Sequence, residues 1–222
     1  MLKTSLVAGT TLLLATAAIV LSQSSVDETK PYGRICLTIA DNSGHEELFQ
    51  SDTPTGAGKK IVVHVDANSK CFALVAAFNR KDSRLANNWM PQFVELPQWE
   101  EVPLPKAPAK WLWEKNEGPI EFYALFFAPD SKEAPEIKKL VDAMGNAASD
   151  RSMLQLQSNK LREMIGRSMI EKDRSKYLAK TESSELGGVL RGGTFEWRKS
   201  AQSVNFTSDK PGVLIFSGAG AR

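Results

Sequence analysis

Lys60–Asn79 reads KIVVHVDANSKCFALVAAFN, and the rest of the chain is organised around it. Ile61 to Val65 is a β-rich run, Asp66-Ala67-Asn68-Ser69 is a cluster of turn residues, and Cys71 to Phe78 is a second, longer apolar run. Two β-type runs joined by a short polar segment predict a β-hairpin. In the second run Phe72, Leu74, Ala76 and Phe78 form the bulky face, and Cys71, Ala73, Val75 and Ala77 the smaller one.

Working outward, Gly33–Ala40 alternates Ile35, Leu37 and Ile39 against Arg34, Cys36 and Thr38, which predicts a strand. Asp41 to Gly44 is a turn, and Glu46–Phe49 returns as a short strand. Downstream, residues 89–119 hold six of the eleven prolines and four of the five tryptophans. Proline excludes central strands, so Gln92–Leu96 and Glu100–Leu104 are expected at sheet edges or in ordered loops. Lys110 to Glu114 alternates and puts Trp111 and Trp113 on one face. Ile120–Ala128, IEFYALFFA, is expected as a buried strand, too short to span a membrane.

A helix should follow Pro129, capped by Asp130 or Ser131, with Ile137, Leu140, Val141 and Met144 as its stripe and Gly145 as its stop. Ser149–Leu178 is a longer helical candidate with Leu154, Leu161, Ile165 and Met169 in line, and Gly166 marks a break. Its opposite face carries mixed charges, which favours covering a sheet over lying on a membrane. Val189-Leu190, Thr194–Arg198, Ser203–Thr207 and Gly212–Phe216 read as later strands. The fold class is mainly β (α+β): a sandwich of antiparallel sheets, with one long and one short covering helix within a helical insertion at residues 131–179.

Residues 1–22 are different in kind. Lys3 is their only charge, Leu6 to Leu21 is apolar or small, and Val20 and Ser22 precede a cut before Gln23. This is the pattern of a secretory signal peptide, leaving residues 23–222 as one exported domain in the periplasm or outside the cell. The alternative is an uncleaved anchor, although the run is shorter than the roughly 20 apolar residues a span needs. An oxidising compartment lets Cys36 and Cys71 pair, and both lie on the less bulky faces of their strands. Such a bond is expected to add about 4 kcal/mol by closing a loop of about 36 residues. The alternative is two free thiols.

The candidate chemistry is sparse. Thr53 to Lys60 lacks the first glycine and the Ser or Thr of a phosphate-binding loop, so no nucleotide is expected. His45 and His64 are the only histidines and lack ligand spacing, so neither metal nor any other cofactor is expected. The formal net charge of +2 makes no electrostatic case for nucleic acid. Asn205-Phe206-Thr207 matches a glycosylation acceptor. The tryptophans are the sharpest binding candidates: Trp111, Trp113, Trp99 and Trp89. A rigid indole stacks sugars or peptides at low entropic cost, whereas a core role for these residues is the plainer alternative.

The order of these features resembles that of an uncharacterised bacterial exported domain, found alone or beside caspase-like peptidases. The resemblance rests on HVDANSKCFALVAAFN, then MPQFVELP and VPLP, then IEFYALFF and a helix after Pro129, spanning Lys60 to Met144. Phe72 and Met90-Pro91-Gln92 stand where that family usually has Tyr and Phe-Pro-Asn. The resemblance implies a β-sandwich-like, non-enzymatic envelope module and carries over no site residues.

The function expected from the chain is a non-catalytic binding or structural module of the envelope, contacting protein or glycan. The alternative is an envelope-polymer hydrolase with a spatially assembled site. Intact-mass measurement of the exported protein should find residues 1–22 missing. A chain still beginning at Met1 would identify an anchor instead.

Overall fold

The computed structural model describes residues 26–49, 58–82, 84–86, 89–114, 118–169, 173–179 and 197–218. They contain ten strands in two antiparallel sheets, with two α-helices. The mainly β sandwich expected from the sequence is therefore the observed class.

The larger sheet is centred on β1 (Tyr32–Ala40) and β3 (Lys60–Ala67). They pair in register from Gly33↔Ala67 to Ala40↔Lys60. On its other edge β1 carries β2 (Glu46–Leu48) at one end and β9 (Gln202–Asn205) at the other. The free edge of β3 is likewise shared, by β6 (Val102–Leu104) and β7 (Trp111–Leu112). The smaller sheet has the order β10 (Gly212–Gly218), β8 (Ile120–Phe127), β4 (Cys71–Asn79), β5 (Gln92–Leu96).

Lys60–Asn79 is thus not a hairpin. β3 pairs with β1, β6 and β7, whereas β4 pairs with β5 and β8. The joint at Asn68–Lys70 is an arch that carries the chain from one sheet to the other. The physical reason lies in the side chains. One face of β3 carries Val62, His64 and Asp66, while both faces of β4 are apolar. A strand that is apolar on both sides needs apolar cover on both sides, and a place beside β3 would set one of them among the charged groups of His64 and Asp66. Asn68 secures the arch: its Oδ1 accepts from Tyr32 N at 2.7 Å and its Nδ2 donates to Lys30 O at 3.0 Å.

The two faces of β4 serve two cores. Its small face joins Ile35, Leu37, Val63 and Val65 between the sheets, where Phe122 and Phe126 of β8 fill the space beside Ala77 and Ala73. Its bulky face, with Leu74 and Phe78, meets α1 (Glu133–Asn146) and α2 (Arg151–Ser168) through Ile137, Met144, Leu161 and Ile165. All eight residues of β8 are buried, as its composition predicts.

The Pro-rich stretch crosses from one sheet edge to the other, with β5 on the smaller sheet and β6 and β7 on the larger. The expectation of edge strands holds. α1 begins at Glu133, where Ser131 Oγ accepts from Glu133 N at 3.3 Å, and it runs through Gly145 rather than stopping there. α2 is shorter than the 149–178 pattern. Asp150 caps it through Ser152 N and Met153 N, and it ends two residues past Gly166. Leu154, Leu161 and Ile165 are buried, but Met153 and Leu156 are exposed. A 3-10 turn, Arg174–Tyr177, follows. Of the later strands, Ser203–Thr207 and Gly212–Phe216 correspond to β9 and β10. Trp197–Lys199 is a 3-10 turn rather than strand, and Val189-Leu190 lies outside the described residues, as does the signal segment.

The disulfide expectation fails on geometry. Cys36 lies on the outer face of the larger sheet, directly across from His64. Cys71 lies in the core between the sheets. A whole sheet separates the two side chains, so equal bulk of face did not mean the same face. Both thiols are free and buried, and burial pushes each up to about 12. Thiol titration should therefore find two free thiols in unreduced, denatured protein and none reactive in the native fold. Gly33 tests the sheet spacing, because a Cβ there would lie 2.1 Å from Phe126 Cδ1. Gly33→Ala should destabilise by about 1–3 kcal/mol in a denaturant titration, the usual range for overpacking.

Candidate functional site

The four candidate tryptophans separate into two groups. Trp89, Trp111 and Trp113 are core residues. Trp89 stacks on Trp111 at 5.8 Å between ring centroids and 19° between planes, and it also meets Trp113 and Phe122. The alternation at Lys110–Glu114 does place Trp111 and Trp113 together, but their shared face is the interior, and Leu112 is the exposed side. These three rings close the end of the sandwich where the Pro-rich stretch passes between sheets, and that burial removes them from the candidate surface.

Trp99 is different: it is 51% exposed. Its φ is +61°, a left-handed conformation uncommon for a large aromatic residue. Trp99 N donates to Ala67 O at 2.8 Å, which fixes the backbone beside the arch. The indole meets Tyr32 edge-on at 6.1 Å, and the Arg34 guanidinium lies 5.4 Å from its ring centre. The indole is thus half exposed and held at three points, by its backbone hydrogen bond, by Tyr32 and by Arg34.

Behind Trp99 the outer face of the larger sheet carries a continuous polar network. Antiparallel register sets Arg34 across from Asp66, Cys36 across from His64 and Thr38 across from Val62. Arg34 grips Asp66 bidentately, Nε to Oδ1 at 2.7 Å and Nη2 to Oδ2 at 2.6 Å. Arg198, in the turn Trp197–Lys199, donates from Nε to the same Asp66 Oδ2 at 3.1 Å and from Nη2 to Trp99 O at 3.5 Å. Asp66 itself is fully buried. Its charge is therefore acceptable only because two guanidinium groups meet it.

His64 forms the other half. Its Nδ1 is 2.7 Å from Glu101 Oε1, and its Nε2 is 2.7 Å from Glu46 Oε2. Thr38 Oγ1 donates to the same Glu46 oxygen at 2.8 Å. Trp197 stacks on the imidazole at 5.6 Å and 18°, and its Nε1 donates to Glu101 Oε2 at 2.6 Å. Burial pulls His64 toward the neutral form, but carboxylates on both ring nitrogens outweigh it, and the group is held above its ordinary value. The His64 hydrogen bond in turn holds Glu46 below its ordinary value.

A second buried carboxylate lies on the helix-facing side of β8. Glu121 Oε2 accepts from Tyr123 Oη at 2.8 Å and from Arg174 Nη2, which also donates to Tyr123 Oη at 2.7 Å. Burial, reinforced by Glu121, pushes the Tyr123 phenol up to about 12. This arrangement clamps the Arg174–Tyr177 turn to the sheet. Asn205, the glycosylation match, is similarly committed: Asp27 N donates to its Oδ1, and its Nδ2 donates to Asp27 O and Pro31 O.

Among the described residues, no cluster of three or more His, Cys, Asp or Glu side chains is arranged to hold a metal ion. No described helix is long and apolar enough to cross a membrane. The groove between α1 and α2 is shallow and lined by mixed charges, including Glu136, Lys139, Lys160 and Arg167.

The strand pattern put Arg34, Cys36 and Thr38 on one face. It missed Asp66, Glu46, Glu101, Trp197 and Arg198 as partners. The available signal was the shared parity of His64 and Asp66 in a run otherwise made of Ile and Val. Glu101 and Trp197 reach the site from positions 37 and 133 residues away from His64, with no local pattern to announce them.

No family model, curated protein or solved structure matches this chain.

Asp66→Asn should be among the most damaging single changes on this face. It leaves Arg34 facing a group that cannot neutralise it, at a cost of about 3–5 kcal/mol. Thermal and chemical unfolding of the variant would measure the loss.

Proposed function

We propose that the protein is an exported, non-catalytic binding module of the bacterial envelope, which contacts glycan or protein through the outer face of its larger sheet. Trp99 is the central contact, with Tyr32, Arg34 and Arg198 around it. The reading rests on one observation: an exposed indole held at φ +61° by neighbours on two sides. Backbone strain at an exposed aromatic has no packing purpose of its own, and residues in such conformations cluster at ligand sites.

The hydrolase alternative has less to support it. Each ring nitrogen of His64 already faces a carboxylate, so neither is free to take a proton from a nucleophile. The adjacent hydroxyl, Thr38, is fully buried. The indole platform needs no such chemistry.

Cosedimentation of the mature chain with isolated cell-wall sacculi tests the proposal. The wild type should be retained, and Trp99→Ala should bind about 5–30-fold more weakly, the equivalent of one or two kcal/mol at a central aromatic contact. Its melting temperature should stay close to wild type. Equal retention of the two proteins, or no retention of either on sacculi or on extracted envelope protein, would remove the platform from consideration.

A further inference from the structure

His64 joins segments that are otherwise far apart. Glu46 belongs to β2, a strand of three residues. Glu101 precedes β6, and Trp197 begins the 3-10 turn that also carries Arg198. All of them meet at one imidazole on β3. A protonated imidazole has two N–H donors, one for each carboxylate. A neutral one has a single donor, so one nitrogen must present its lone pair to a carboxylate 2.7 Å away. The ring also stacks on Trp197, a contact that favours the cation.

We propose that protonated His64 fastens β2 and the Trp197–Lys199 turn to the outer face of the larger sheet, and that loss of the proton unfastens one of them. The clasp stands on its own geometry. Its effect on binding rests on the Trp99 reading, because Arg198 links the same turn to Asp66 and to Trp99 O.

The titratable and charged groups that face His64 come from several elements. From β1 come Thr38 and Cys36, whose buried thiol is pushed up to about 12 and stays neutral. From β2 comes Glu46, and from the segment before β6 comes Glu101. From β3 itself come Asp66, tied to Arg34 and Arg198, and Lys60, whose charge acts on Glu46. Pro103 of β6 faces His64 in register and carries no charge.

A histidine raised in the folded state stabilises it fully below the unfolded value, 6.5 here, and the contribution is lost as pH rises through the higher folded midpoint. Glu46 works in the other direction. It stabilises above its ordinary value of 4.5, and the contribution is lost as pH falls through its lower folded midpoint. The clasp is therefore tightest between those two ordinary values and loosens on the alkaline side.

Nitrogen-detected NMR of the mature protein should show both ring nitrogens of His64 protonated at pH 6.5 and a midpoint above it. Glu46→Gln and Glu101→Gln should each lower that midpoint. Amide exchange at Glu46–Leu48 and Trp197–Lys199, corrected for intrinsic rates, should accelerate through the same midpoint. The acceleration should be about tenfold for each pH unit separating it from a free imidazole. A His64 midpoint at or below 6.5, or corrected exchange in both segments that ignores pH, would overturn the clasp. Trp99→Ala should leave the transition in place, so failure of the platform and failure of the clasp give different results.

Discussion

β4 and β8 form a strand pair that is dry on both faces, and the remaining architecture follows from that constraint. Each side of the pair has to be covered. The larger sheet covers the side with small residues on β4 and large ones on β8, and the two helices cover the other. The first contact is close enough that Gly33 has no room for a Cβ against Phe126. The chain must therefore leave the larger sheet after β3 and enter the smaller one at β4, which makes Asn68–Lys70 an arch. The Pro-rich stretch makes the return crossing, and three buried tryptophans fill the end it closes.

Among the described residues, no second sheet or α-helix packs on the outer face of the larger sheet. That outer face is held together by charge rather than by apolar burial. Asp66 and His64, two residues apart on β3, organise opposite halves of it. Asp66 gathers two arginines and, through them, the Trp99 turn. His64 gathers two carboxylates and Trp197. Trp197 and Arg198 are consecutive, so a single short turn near the end of the described chain connects both halves. Recognition and its sensitivity to pH, as proposed above, would share this one turn.

The class of fold was legible because the strand patterns are strong. IEFYALFF can only be an interior strand, and the prolines at 91, 97, 103 and 105 mark edges. The sheet change at Asn68–Lys70 was less visible because a short polar joint between β-type runs has the same local appearance in a hairpin and in an arch. The distinguishing feature was the mismatch between the polar face of Val62-His64-Asp66 and the two apolar faces of β4. The cysteines misled for a related reason: parity tells which residues share a strand face but not which layer that face borders. Within the site, the Arg34–Asp66 and Cys36–His64 pairings could be read once β1 and β3 were known to be neighbours. Glu101 and Trp197 could not, since they are brought in by long connections.

The strand lengths have a further consequence, for contact between copies of the chain. β2 and β9 divide the outer edge of β1, and β6 and β7 divide that of β3, with Pro103 inside β6. On the smaller sheet β10 is bridged at its centre by Leu178, and β5 is five residues long. Among the described residues, no strand edge offers a long, uninterrupted row of backbone donors and acceptors. Fibril growth by strand addition needs such a row. The strands that border the two sheets within the described residues therefore give a neighbouring copy no long template to extend.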